Sequence, residues 1–286
     1  MTVTTPIAYH LEDILAADFA SWNVPAGGCA LVTSDGILAS TGDLDTELPW
    51  ASVTKVVSAL AVLDVVAQGD LDLDEPAGPQ GSTVRHLLAH ASGLAFNEPR
   101  VVSAPGRRRI YSNVGIDTVT QVAVERAGAA SAAALVDARV LQPLGMTRTR
   151  LVGPPAHGAV GPLADLALLA RELVNPQVLD VVHASTLTYP DLAGVLPGYG
   201  RQDPNGWGLG VEIRGRKSPH WMPSSSSPRT FGHFGRSGSF VWVDPDADLA
   251  GIALTGRPFG DWAADAWSAS TTRWHRAVTA QESGER

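Results

Sequence analysis

Residues Trp50–Asp64 read WASVTKVVSALAVLD and set a hydroxyl, Ser52, three residues ahead of an amine, Lys55, in otherwise apolar company. The apolar pattern predicts a helix from Ser52 to Gln68, with Gly69 as its stop. A lysine in such a segment is rarely buried without a partner. Either its stem packs while its head reaches water, or it is held beside the serine for chemistry. An S-x-x-K pair arises by chance in many chains, so the neighbouring sequence must decide.

Upstream, Leu11–Trp22 has helical spacing, with Leu11, Ile14, Leu15, Phe19 and Trp22 on one side. GGCALVTSDGILASTG then predicts a hairpin of two strands, Cys29–Thr33 and Ile37–Ser40, turning at SDG. Downstream, Ser82 is the expected N-cap of the helix TVRHLLAHA. GIDTVTQVAVERAG, SAAALVDARVLQPLG and LADLALLARELVN are also expected to be helical. WGLGVEI, FGHFGRSGSFVWVD and LAGIALTG read as strands, and DWAADAWSASTTRWHRAV as a last helix. PSSSSPRT at 223–230 is expected to be a mobile surface loop. The fold class expected is α/β (α+β), an antiparallel sheet flanked by helices with an inserted, mostly helical part. One catalytic domain over 1–286 is expected, its α/β part at about 1–50 and 190–286 and its helical part at about 51–189.

With 44% hydrophobic and 17% charged residues, the 286-residue chain can bury a core, which excludes a disordered protein. A formal charge of −8 speaks against a nucleic-acid partner. GRRRI at 106–110 is one short basic cluster, expected at a solvated loop edge. The single cysteine, Cys29, excludes an internal disulfide and sits in an apolar strand, where packing is expected. No leader pattern opens the sequence and no apolar run approaches about 20 residues, so a soluble cytoplasmic protein is expected.

A serine hydroxyl needs a nearby base. Positions three apart share a helix face, and apolar surroundings lower a lysine's pKa, so Lys55 can serve Ser52. If Ser52 opens the helix, its own N–H is free to face a reacting centre. IYSNVG places Tyr111 and Asn113 at Y-x-N spacing before a helix, where a nearby cation would stabilise the phenolate. FGHFGRSGS places His233 and Gly235 on a strand, followed by Arg236. Glycine there lets a substrate approach the backbone, and the next N–H can complete an oxyanion hole.

On these residues the chain resembles the serine β-lactamase and penicillin-binding-protein superfamily, in its class C-like branch, which includes β-lactamases, DD-peptidases and family VIII esterases. The motifs are Ser52–Lys55, Tyr111–Asn113 in the Y-x-N form, and His233–Gly235 in the H-x-G form. TVRHLLAHASGL, APGRRRIYSNVG, LQPLGMTRT and WGLGVEI are similar to the flanking segments, and the resemblance covers about residues 25–256. It implies Ser52 as acylated nucleophile, Lys55 in its activation, and Tyr111 as general base and then acid. It implies Asn113 bonded to the substrate carbonyl or to Lys55, and the N–H groups of Ser52 and Arg236 as oxyanion hole. No cofactor is implied.

The departures bear on substrate. His233 stands where relatives that take carboxylate-bearing antibiotics and cell-wall peptides carry lysine. Histidine is mostly neutral at pH 7, which favours an uncharged ester or amide. Arg236 argues the other way, as a carboxylate fork or as a side chain in solvent. MTRTRLVGPPAHGAVGPL at 146–163 looks shorter than in many relatives, which implies an open acyl pocket. His86 and His90 have no third ligand at a sensible spacing, so packing or capping is expected rather than a metal. Trp50, Trp207 and Trp242 are read as core. The function expected is a serine hydrolase with an acyl-serine intermediate: a carboxylesterase on small uncharged esters or amides, with weak β-lactamase activity at most. The alternatives are an acyltransferase on the same scaffold, a class C-like β-lactamase or DD-peptidase, and a silent binding protein.

Overall fold

The computed structural model of the protein describes residues 6–284. The first half contains α1 (Pro6–Ser21), β1 (Gly27–Thr33), β2 (Gly36–Gly42), β3 (Leu48–Pro49), α2 (Thr54–Ala67), α3 (Val84–Leu88), α4 (Asn113–Ala127) and α5 (Ala132–Val136). There follow β4 (Arg150–Leu151), β5 (Ala159–Gly161), α6 (Leu163–Val174), α7 (Val181–Ser185), β6 (Gly194–Leu196), β7 (Gly200–Gln202), β8 (Glu212–Ile213), β9 (Phe231–Gly235), β10 (Ser239–Asp244), β11 (Leu249–Thr255) and α8 (Asp261–Gly284). The main sheet is antiparallel, in the order β2-β1-β11-β10-β9-β8.

Both faces of this sheet are covered, and the period-2 alternation of its strands supplies one core on each. On one face Cys29 and Leu31 of β1 join Phe240 and Trp242 of β10, beneath Leu11 and Leu15 of α1 and Trp267 and Trp274 of α8. On the other, Ala30, Val32, Val241, Val243 and Ile252 pack with α2 and α6. The alternating antiparallel sheet with its helical part is the fold class the sequence implies. α2 is buried nearly all round, Thr54 to Leu63 without interruption, as a helix apolar on nearly every side must be.

Local expectations fail where tertiary contacts override them. The cap of α3 is Thr83, whose hydroxyl accepts from the N–H of His86, rather than Ser82. Only Glu212–Ile213 of WGLGVEI is strand. The 223–230 segment is tied down: Ser224 N–H donates to Thr272 Oγ1 at 2.8 Å, Ser227 N–H to Asp244 Oδ2 at 2.9 Å, and Ser226 and Thr230 are buried.

Arg109 corrects the reading of GRRRI as solvated. Its side chain is buried, and its guanidinium donates to the carbonyls of Asn205 (3.1 Å), Thr188 (2.8 Å), Tyr189 (2.9 Å) and Ala89. Burial pulls its pKa down to about 10. The planar five-donor fork matches several carbonyls from distant segments, and no other side chain presents it. Arg109→Met would orphan these carbonyls at about 1–3 kcal/mol per group left dry. We expect a loss of stability of about 3 kcal/mol or more, read from the urea midpoint; a loss below about 0.5 kcal/mol, the usual scale for surface changes, would remove the clamp from the account.

Candidate active site

The turn carrying Ser52 is strained. Ala51 lies at φ +44°, in the left-handed region, before a 3-10 turn (Ala51–Val53) that runs into α2. Such a conformation costs about 1–2 kcal/mol for an L-residue and persists only where its surroundings over-determine it. Here they do. Trp50 N–H donates to Ala159 O (2.9 Å) and Trp50 Nε1 to Gly161 O (3.2 Å), while Ser239 Oγ donates to Trp50 O (2.7 Å). Ser52 therefore stands in a first turn, where N–H groups lack intrahelical partners.

Lys55 is wholly buried one turn on, its Nζ 3.2 Å from Ser52 Oγ. Nζ also donates to Asn113 Oδ1 (2.6 Å) and to the carbonyl of Ala156 (2.8 Å). The Asn113 amide is oriented by its Nδ2, which donates to Asn97 Oδ1 at 2.7 Å. Both partners are thus acceptors only. Burial pushes the Lys55 pKa down to about 7, against the attraction of Asp117. A neutral amine has two N–H groups and one lone pair. With both N–H groups committed to obligate acceptors, the lone pair is left facing Ser52.

The Ala156 carbonyl was not foreseen. It comes from the tight turn Gly153–Gly158, which is pinned to the helices. Ala156 N–H donates to Asp117 Oδ1 (2.9 Å), and Ser58 Oγ donates to Pro155 O (2.8 Å). The 146–163 segment thus carries a turn that buries the lysine.

Tyr111 stands just before α4, whose N-cap is Ser112. Its phenol lies beside Ser52, which favours the ionised form, and its ring centroid lies 4.7 Å from Lys55 Nζ. The cation was expected to favour the phenolate. Burial decides otherwise: the Tyr111 pKa is pushed well above the ordinary phenol value, with Ser52 opposing the rise and buried Glu212 adding to it. The side chain at rest is a phenol.

His233 is buried on β9, its Nε2 3.4 Å from the Tyr111 hydroxyl. Its Nδ1 lies 2.8 Å from the Phe234 carbonyl, which can only accept, so the proton sits on Nδ1 and the Nε2 lone pair faces the phenol. Burial first, then the charge of Lys55, lowers its pKa to about 3. The imidazole is neutral, as the unperturbed pKa suggested, and it faces the tyrosine. Trp207, buried, closes the back of the group, its ring 5.7 Å from Tyr111 and 5.5 Å from His233. His90 packs there too, its Nδ1 accepting from Ser112 N–H at 3.2 Å, a packed histidine as expected.

Gly235 ends β9 against the nucleophile turn. A Cβ there would lie 2.5 Å from Trp50 O and 2.4 Å from Ser239 Oγ, so only glycine allows this approach. Arg236 follows with its side chain exposed and without an ion pair among the described residues. Ser52, Lys55, Tyr111, Asn113, His233 and Gly235 are thus brought together, and the Arg236 side chain stands outside the group. Trp50 and Trp242 are core residues. Among the described residues no cluster of three His, Cys, Asp or Glu could hold a metal, and no helix is long and apolar enough to cross a membrane.

Comparison with known proteins agrees with this fold. Esterase EstB of Burkholderia gladioli is 36% identical over 149 aligned positions, which take in 36% of this chain and 38% of the esterase's own length. A crystal structure of a beta-lactamase from Mycobacterium bovis superposes with a TM-score of 0.89 at 46% identity, covering 93% of this chain and 98% of that one. Simvastatin synthase from Aspergillus terreus superposes with a TM-score of 0.74 at 14% identity, covering 97% of this chain and 100% of its own, which speaks to the fold alone. The family model Beta-lactamase matches residues 30–270, which takes in the S-x-x-K helix, the Y-x-N turn and the H-x-G strand. The chain belongs to the beta-lactamase family of serine hydrolases.

Proposed function

We propose that the protein is a carboxylesterase that cleaves small esters, uncharged around the reacting carbonyl, through an acyl group on Ser52. The observation that carries this reading is the arrangement at Lys55, whose two obligate acceptors leave its lone pair for the serine. Ser52 Oγ attacks the carbonyl carbon and its proton passes to Lys55 Nζ. The N–H groups of Ser52 and Arg236 hold the oxyanion, each such donor being worth about 3–4 kcal/mol in the transition state. Tyr111, a phenol at rest, gives its proton to the departing alkoxide and regains one from Lys55, so alcohol leaves and acyl-serine remains. Water then enters by the reverse path and releases the acid.

Neutral His233, in the place of a lysine, supports a substrate without a carboxylate beside the scissile bond. The lone cysteine, buried and free, agrees with a reducing compartment, and we take the cytoplasm as the place of action. We treat the whole chain as one catalytic domain with a small-molecule partner.

The test is a panel of p-nitrophenyl esters from acetate to octanoate, with nitrocefin alongside. Short-chain esters are expected to turn over best. Nitrocefin is expected to be slower by about 10- to 100-fold, the worth of one missing charge-assisted hydrogen bond. Fast nitrocefin cleavage with feeble ester cleavage would overturn the reading. An added alcohol acceptor tells whether water or alcohol resolves the acyl-enzyme.

A further inference from the structure

The arginine run at 106–110 has no part in the chemistry above, yet it leads directly into Tyr111. It borders a cleft of about 640 Å³ whose wall includes Tyr111 itself. Phe96, Ile110 and Val195 make apolar parts of that wall, Arg107, Arg108 and Arg201 make basic ones, and no carboxylate lines it. In a chain with 29 acidic and 21 basic residues this is a local reversal of sign.

The arginines differ in what they have left to offer. Arg109 is spent on backbone carbonyls, and Arg201 is answered by Asp203 at 2.9 Å. Arg107 and Arg108 are exposed and form no ion pair among the described residues. Their backbone is nevertheless fixed. Gly106 N–H donates to Ala91 O (2.8 Å), Arg109 N–H to Ala193 O (2.9 Å) and Ile110 N–H to His90 O (2.9 Å). Two unanswered guanidinium groups therefore stand on an anchored turn at the mouth of the cleft. Exposed Phe96, 5.8 Å from the Tyr111 ring, offers an apolar path between them and the phenol.

Resting on the esterase reading, we propose that this cleft receives a substrate arm ending in an oxyanion, carboxylate or phosphate, with Arg107 and Arg108 determining specificity. A guanidinium fork matches either oxyanion. Neutral His233 governs the surroundings of the reacting carbonyl, and the arginines govern the far end of the arm. Tyr111 lies four positions after Arg107, at most about 14 Å of chain, so an arm of roughly six carbons, met by an arginine side chain, spans the gap. The substrate class is an ester of a short aliphatic acid with a terminal anion.

The experiment compares three p-nitrophenyl esters of six-carbon acids: hexanoate, the mono-ester of adipic acid, and 6-phosphohexanoate. Wild-type kcat/KM is expected to be about 5- to 10-fold higher for at least one anionic ester than for hexanoate at low salt, as befits an exposed charge pair. Which of the two gains tells carboxylate from phosphate. The preference is expected to fall towards 1 in 0.5 M NaCl, where screening shortens to a few ångströms, and in the Arg107→Gln/Arg108→Gln variant. The ratio is read within one protein, so a general loss of activity cancels. A wild-type ratio at or below 1, or a ratio unchanged in the variant, overturns the proposal. If no ester is cleaved, the esterase reading fails, and calorimetric binding of adipate and of 6-phosphohexanoate decides the subsite. Saturable binding of either one, lost in the double variant, keeps it; no binding of either removes it.

Discussion

Ser52→Ala protein is expected to keep its fold and to lose about 10⁵- to 10⁶-fold in kcat on any ester the wild type cleaves, with no labelling by a fluorophosphonate. The magnitude follows from what remains: oxyanion donors and binding alone, which leave a modest acceleration over water when a hydrolase loses its nucleophile. Preservation of the fold follows from the local structure. The Ser52 hydroxyl caps nothing, since the helical turn begins at Trp50 without a side-chain cap, and Trp50 is held by bonds that do not involve Ser52. Near-wild-type circular dichroism and melting with lost turnover would assign the loss to chemistry. Residual turnover within about tenfold of wild type would mean that another group, or water itself, attacks the substrate, and Ser52 would leave the mechanism.

The parts of this site that sequence reading reached are those carried by side-chain type and short spacing. An i, i+3 pair on a helix must share a face, so Ser52 and Lys55 were bound to meet once the helix formed. Tyr111 and Asn113 share one turn entering α4. The sheet was legible because its strands alternate two apolar sets, such as Cys29 and Leu31 against Ala30 and Val32. What stayed hidden is carried by backbone or by burial. The Ala156 carbonyl that holds Lys55 has no side-chain signature, since any residue supplies a carbonyl. The protonation of Tyr111 is set by how deeply the fold buries it, and residue identity names its neighbours without giving that burial. Arg109 looked like the arginines beside it; only the convergence of four distant carbonyls separates the clamp from its two exposed neighbours.

Lys55→Met is expected to lower kcat/KM by about 10³- to 10⁴-fold, since a positioned base contributes about 10²–10⁴ and a buried tyrosine held as a phenol cannot take its place. The pH dependence identifies the group. With a pKa of about 7, Lys55 is protonated and inactive as a base below neutrality and free above it, so wild-type kcat/KM should rise through pH 7 and level off near pH 8. His233, with a pKa of about 3, adds no inflection in that range. The same shift has a consequence for stability that does not pass through catalysis. Between about pH 7 and 10.5 the unfolded chain carries the Lys55 proton and the folded chain does not. Folding stability from this group is therefore lowest at and below pH 7 and grows as pH rises, by about 1.4 kcal/mol per unit. The methionine variant has no such proton. The difference in unfolding free energy, wild type minus Lys55→Met, should climb across pH 7 to 9 by about 2–3 kcal/mol, measured by urea titration at each pH. A flat difference would mean that Lys55 holds its proton in the folded protein throughout, and the base would have to be sought elsewhere. A climbing difference beside a pH-independent rate would make Lys55 neutral but idle, leaving nucleophile activation to Tyr111.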